Sequence, residues 1–136
     1  MKKLLLTFLL ALPVWAEESP FPIGAVYSLT GWAASGGSAE LAAVRLAVDE
    51  INLAGGVRGR PLKLAVEDTQ SDFRKTATAV QKLASIDKVS IILGPNWAEF
   101  SEVAAPIAQR KGVLMLTASG YAKDLTKDRP LVFTTL

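Results

Sequence analysis

A chain of 136 residues, 50% hydrophobic and 21% charged, is long enough to bury one sheet between helices and short enough to be a single domain or lobe. Cysteine and histidine are both absent, which excludes disulfides, thiol nucleophiles, a Ser-His-Asp triad, histidine-based zinc sites and a lipid-bearing cysteine behind a leader. The formal charge of +2 comes from Lys2 and Lys3; without them thirteen basic and thirteen acidic residues remain, and no Lys/Arg cluster offers a footprint for nucleic acid.

Lys2 and Lys3 precede an apolar run, Leu4 to Leu12, that is too short to span a bilayer, and Val14-Trp15-Ala16 follows the small-x-small cleavage pattern. Residues 1–16 are therefore expected to be a signal peptide cut after Ala16. Residues 17–136 would then be released into the periplasm with no lipid anchor and no insertion into the membrane. Nothing downstream reads as membrane-spanning.

Ile23 to Tyr27 reads as a buried strand running into a loop at Ser28-Leu29-Thr30-Gly31, with Gly31, Gly36 and Gly37 keeping that loop flexible. A helix is expected from Ser38 as N-cap, with Leu41, Val44, Val48 and Ile51 on one face and Gly55-Gly56 closing it. Leu62, Leu64 and Val66 alternate with Lys63, Ala65 and Glu67, the pattern of a less buried strand that delivers Asp68 at its end. Ser71 or Asp72 caps a second helix whose face is read as Phe73, Ala77, Val80 and Ala84, with Leu83 beside it. Val89 to Leu93 is a third strand, Ala98 to Arg110 a third helix with Val103 and Ile107 inward, a kink at Pro106 and a stop at Gly112. Val113 to Leu116 and Leu131 to Thr135 supply two further strands around a polar loop.

Alternation of strands and helices in this order predicts a Rossmann-like, flavodoxin-like α/β fold: a parallel sheet with helices on both faces. Ligands of such sheets bind beyond the carboxyl ends of the strands, where strand order reverses. Four loops are thereby brought together: Ser28 to Trp32, Asp68 to Gln70, Gly94 to Ala98 and Thr117 to Tyr121.

The loop Gly94-Pro95-Asn96-Trp97-Ala98 opens a helix, whose unpaired N–H groups favour a carboxylate, although every strand-to-helix turn shares that property. Thr117, Ala118 and Ser119 offer uncharged hydrogen-bonding groups, and Trp32, Trp97 and Tyr121 offer aromatic walls. Any one aromatic also serves to cover a sheet edge; three in ligand-side loops favour lining. Ser119 has no histidine base and no G-x-S-x-G elbow, so no catalytic residue is assigned. Glu67 and Asp68 diverge on alternate sides of their strand, which argues against a metal or acid/base pair and for Asp68 as a loop hydrogen bonder. No nucleotide fingerprint is present, and no cofactor is expected.

Thr30-Gly31, Ala47-Val48-Asp49-Glu50-Ile51-Asn52, Ala54-Gly55-Gly56-Val57-Arg58-Gly59-Arg60-Pro61-Leu62, Asp68, Ile91-Ile92-Leu93-Gly94-Pro95, Ala104-Ala105-Pro106-Ile107-Ala108 and Val132-Phe133 together resemble the N-terminal lobe of the Leu/Ile/Val-binding protein family. The resemblance implies one lobe of a type I periplasmic binding protein, in which two lobes close on a small solute and hand it to the membrane subunits of an ABC importer. Residues 17–136 would be the first lobe, with the second absent. Amino acids are the family's usual cargo, with amides and aromatic acids in some branches.

Carried over position by position, the family's ligand contacts fall at Gly94 to Ala98 and at Thr117, Ser119 and Tyr121. Ala98 and Tyr121 replace hydroxyl residues common in amino-acid binders, which points to a larger, flatter or less polar solute such as an aromatic acid. A ligand-sensing domain of the same fold and an exported α/β enzyme are the competing readings.

Overall fold

The computed structural model describes residues 19–118 and 122–135. The elements in chain order are β1 (Phe21–Tyr27), α1 (Ala34–Leu53), β2 (Leu62–Asp68), α2 (Phe73–Ser85), β3 (Ile91–Leu93), α3 (Ala98–Lys111), β4 (Leu114–Thr117) and β5 (Val132–Thr134). All strands pair in parallel in the order β2-β1-β3-β4-β5. The chain steps outward from β1 to β2, then crosses back to β3, so strand order reverses between β1 and β3, as the alternating pattern predicts.

The two faces of the sheet are covered unequally. Val26, Ile92, Met115 and Val132 point to one face and join Val80 and Leu83 of α2 and Ala104, Ala105 and Ala108 of α3 in the main core. Small alanines let α3 lie close to the strands. On the other face, among the described residues, α1 packs over β1 through Leu41 against Ala25 and Tyr27. Strand alternation sends Leu116 and Phe133 to that second face, where they are exposed.

Strand β2, at the edge, is half-buried apart from the exposed Lys63, in keeping with its alternating sequence. Two helices differ from expectation. Helix α1 starts at Ala34, four residues ahead of Ser38, and carries Gly36 and Gly37 in its first turn rather than leaving them in a flexible loop. Packing overrides their low helix propensity: a Cβ on Gly37 would stand 2.1 Å from the Ser28 carbonyl oxygen, so only glycine lets the helix start this close to the end of β1.

Asp72 caps α2, accepting a 2.9 Å hydrogen bond from the Lys75 backbone N–H. Its buried stripe is Thr76, Ala79, Val80 and Leu83, with Ala77 and Ala84 only flanking it, and Phe73 is left exposed. Thr76 enters the stripe because its hydroxyl donates to the Asp72 carbonyl at 2.8 Å, which leaves its methyl free to pack. Pro106 sits half-buried inside α3, which runs on to a left-handed stop at Gly112.

Candidate functional site

The carboxyl ends of the strands are tied into one polar frame. Ser28 donates its backbone N–H to Asn96 Oδ1 at 3.0 Å, bridging the first and third loops directly over the β1/β3 switch point. Its hydroxyl lies 2.7 Å from that of Thr69, bridging the first and second. Thr117 Oγ1 donates to the Pro95 carbonyl at 2.7 Å and so joins the fourth loop to the third. Ser28, Thr69, Asn96 and Thr117 are all essentially fully buried. Buried polar groups of this kind must be hydrogen-bonded to be tolerated, and here the bonds hold one loop to another.

Asp68 completes the frame. One carboxylate oxygen accepts from the backbone N–H groups of Leu29 (2.8 Å), Thr30 (3.3 Å) and Gln70 (2.7 Å), and the other from the Thr30 hydroxyl (2.8 Å). Desolvation raises its pKa, but hydrogen bonds from Gln70, Leu29 and Thr30 outweigh that effect and hold it below the ordinary aspartate value. Asp68 is a loop organiser, as its position suggested, and Glu67 turns away to Lys82. Among the described residues no group of three or more acidic side chains is placed to hold a metal.

Gly94 forms the floor. Its φ of +92° is a left-handed conformation, and a Cβ there would stand 2.2 Å from the Val26 carbonyl oxygen. Tyr27 lies against it; burial, with Glu40 adding to the effect, pushes the Tyr27 hydroxyl up to about 12, so it stays protonated at any physiological pH.

The rim is aromatic. Trp32 and Trp97 are 63% and 45% exposed, with ring centroids 5.1 Å apart and planes at 67°. Phe100 lies buried behind Trp32 at 5.8 Å, and Phe73 packs against Phe100 at 5.3 Å. Trp97 has φ 70° and ψ 141°, close to a region that only glycine enters freely, at a cost of about 1–3 kcal/mol. Ser101 secures it, its backbone N–H and hydroxyl both reaching the Trp97 carbonyl at 3.2 and 3.1 Å.

Of the residues singled out from sequence, Trp32, Gly94, Pro95, Asn96, Trp97, Ala98, Thr117 and Ala118 gather at this one end of the sheet. Ser119, Tyr121 and the leader lie outside the described residues. Asn96 and Thr117 direct their side chains into the frame, Ala98 opens α3 half-buried, and Ala118 is exposed. Phe73 and Phe100 were not anticipated here. Their signal was proximity: Phe73 directly follows a capping Asp72, and Phe100 stands three positions after Trp97, one helical turn on.

A family model described as periplasmic binding protein matches residues 20–136. The chain belongs to that family. Members of it are periplasmic solute-binding proteins of ABC importers rather than enzymes. A Leu/Ile/Val-binding protein of Rhizobium johnstonii is 31% identical over 105 residues, covering 77% of this chain and 28% of that protein. A leucine-, isoleucine-, valine-, threonine- and alanine-binding protein of Pseudomonas aeruginosa is 30% identical over 79% of this chain and 29% of its own length. Among solved structures, the branched-chain amino acid transporter substrate-binding protein of Streptococcus pneumoniae, in complex with isoleucine, superposes with a TM-score of 0.83 at 31% identity, covering 85% of this chain and 33% of that one. The chain thus spans about a third of the length of the relatives it matches, a stretch corresponding to one lobe.

Proposed function

We propose that residues 17–136 are the first lobe of a solute-binding component of an ABC importer, and that residues 1–16 are a leader cut after Ala16 on the way to the periplasm. The cargo is an amino acid or a related small carboxylate, amide or aromatic solute. The observation that carries this reading is the convergence of four loops at the β1/β3 switch point, tied together through Thr69, Asn96 and Thr117, in a chain of the periplasmic binding protein family.

Among the described residues the site presents shape, backbone N–H groups at the start of α3 and apolar surface, with no general base paired with a nucleophile. That is the chemistry of capture and release, in which a solute carboxylate meets the first turn of α3 and its body meets the rim. A second lobe would supply the opposing wall and dock on the importer's membrane subunits. One wall alone binds weakly, because burial of the solute requires closure.

Amide spectra of the chain, titrated to millimolar concentration with amino acids, amides and aromatic acids, test this. Saturable shifts at Gly94, Asn96, Trp97, Ala98 and Ala118, among the amides of the four loops, are expected with at least one class. Silence of these amides toward every class would overturn the reading. N-terminal sequencing of exported material tests the leader: the first residue should be Glu17.

A further inference from the structure

The frame uses up its own polar side chains. Ser28, Thr69, Asn96 and Thr117 are buried and bonded to other protein groups, and both Asp68 carboxylate oxygens are engaged by loop donors. What the described part of the site turns outward is mainly indole. Trp32 rests on buried Phe100 in a tilted arrangement, with 32° between the planes and centroids 5.8 Å apart, and 63% of Trp32 remains open to solvent. Trp97 meets Trp32 edge to face and is held there through an unfavourable backbone conformation. Strain of this kind persists where the surrounding structure over-determines it, and it is concentrated at ligand clamps.

A rigid, backed aromatic surface discriminates by shape. Stacking on an indole adds to area burial for a flat π-system but not for a branched aliphatic chain. Resting on the solute-binding reading above, we propose that the Trp32–Trp97 rim, backed by Phe100, is a stacking subsite that selects solutes carrying a planar aromatic ring over branched aliphatic ones. Phe100 fixes the plane of Trp32, Trp97 closes its edge, and the ring of the solute continues the stack outward while its acid group reaches toward α3.

Benzoate and cyclohexanecarboxylate separate planarity from size and charge, since they share a carboxylate and a six-membered ring. The full chain, labelled so that each indole N–H is resolved, is titrated with both and with leucine. Benzoate is expected to shift the Trp32 and Trp97 indole signals saturably and to bind about three- to tenfold more tightly than cyclohexanecarboxylate. Trp32→Ala should abolish that ratio and Trp32→Phe should keep part of it, with melting temperature showing both variants folded. Equal or tighter binding of cyclohexanecarboxylate or leucine would overturn the subsite while leaving solute capture intact. A benzoate preference that survives Trp32→Ala would also overturn it. If no solute shifts residues 94–98, both the subsite and the capture reading fall.

Discussion

The frame and the rim of this site reverse the usual distribution of residues. At the frame, Ser28, Thr69, Asn96 and Thr117 are polar and buried; at the rim, Trp32 and Trp97 are large, apolar and exposed. Stability alone would place them the other way round. The two layers answer to different demands: the frame holds the loops in register, and the rim presents apolar surface to solvent. Substitutions in the frame should therefore be felt in stability, and substitutions in the rim in binding.

The largest expected loss is at the point where α1 enters the frame. Gly37→Ala forces a methyl group onto the Ser28 carbonyl and should cost about 3 kcal/mol by urea unfolding. Asn96→Ala strands the buried Ser28 N–H and should cost about 2 kcal/mol by the same measurement. A smaller effect distinguishes strain from contact at the rim. Trp97→Gly and Trp97→Ala both delete the indole, yet the glycine variant should be the more stable by about 1 kcal/mol, the reverse of the ordinary order, because only glycine relaxes at this φ and ψ. An alanine variant at least as stable as the glycine variant would show that the backbone there is unstrained.

Asp68 gives the mildest effect, and it is set by pH. Its folded pKa lies below the ordinary aspartate value of about 4. The stabilisation is therefore fully present above that value and is lost as pH falls through the lower, folded one. Asp68→Asn should flatten this part of the acid limb of the stability curve, read as melting temperature against pH.

Much of this organisation was legible in the sequence. Apolar runs at Ile23 to Tyr27 and Val89 to Leu93, each ending in a polar or Gly-Pro turn, mark strand ends whatever the packing, so the first and third loops are legible in the sequence. The start of α1 could not, because the permission for Gly36 and Gly37 to be helical comes from the Ser28 backbone, remote in sequence from the local pattern. Apolarity alone misleads on the face of α2: Phe73 fits the stripe by spacing, but Thr76 turns inward with its hydroxyl bonded to the Asp72 carbonyl, and Phe73 packs on Phe100. Asn96 and Thr117 can be singled out as candidates by position, but the direction of their side chains depends on partners 68 and 22 residues away.

Trp32→Ala tests the division most directly, with unfolding free energy and benzoate affinity measured on the same protein. The account predicts a cost of about 1 kcal/mol, less than Asn96→Ala, from the lost ring contacts with Trp97 and Phe100, together with loss of the aromatic preference at the site. A variant that unfolds readily, or one that keeps its preference for benzoate over cyclohexanecarboxylate, would contradict it.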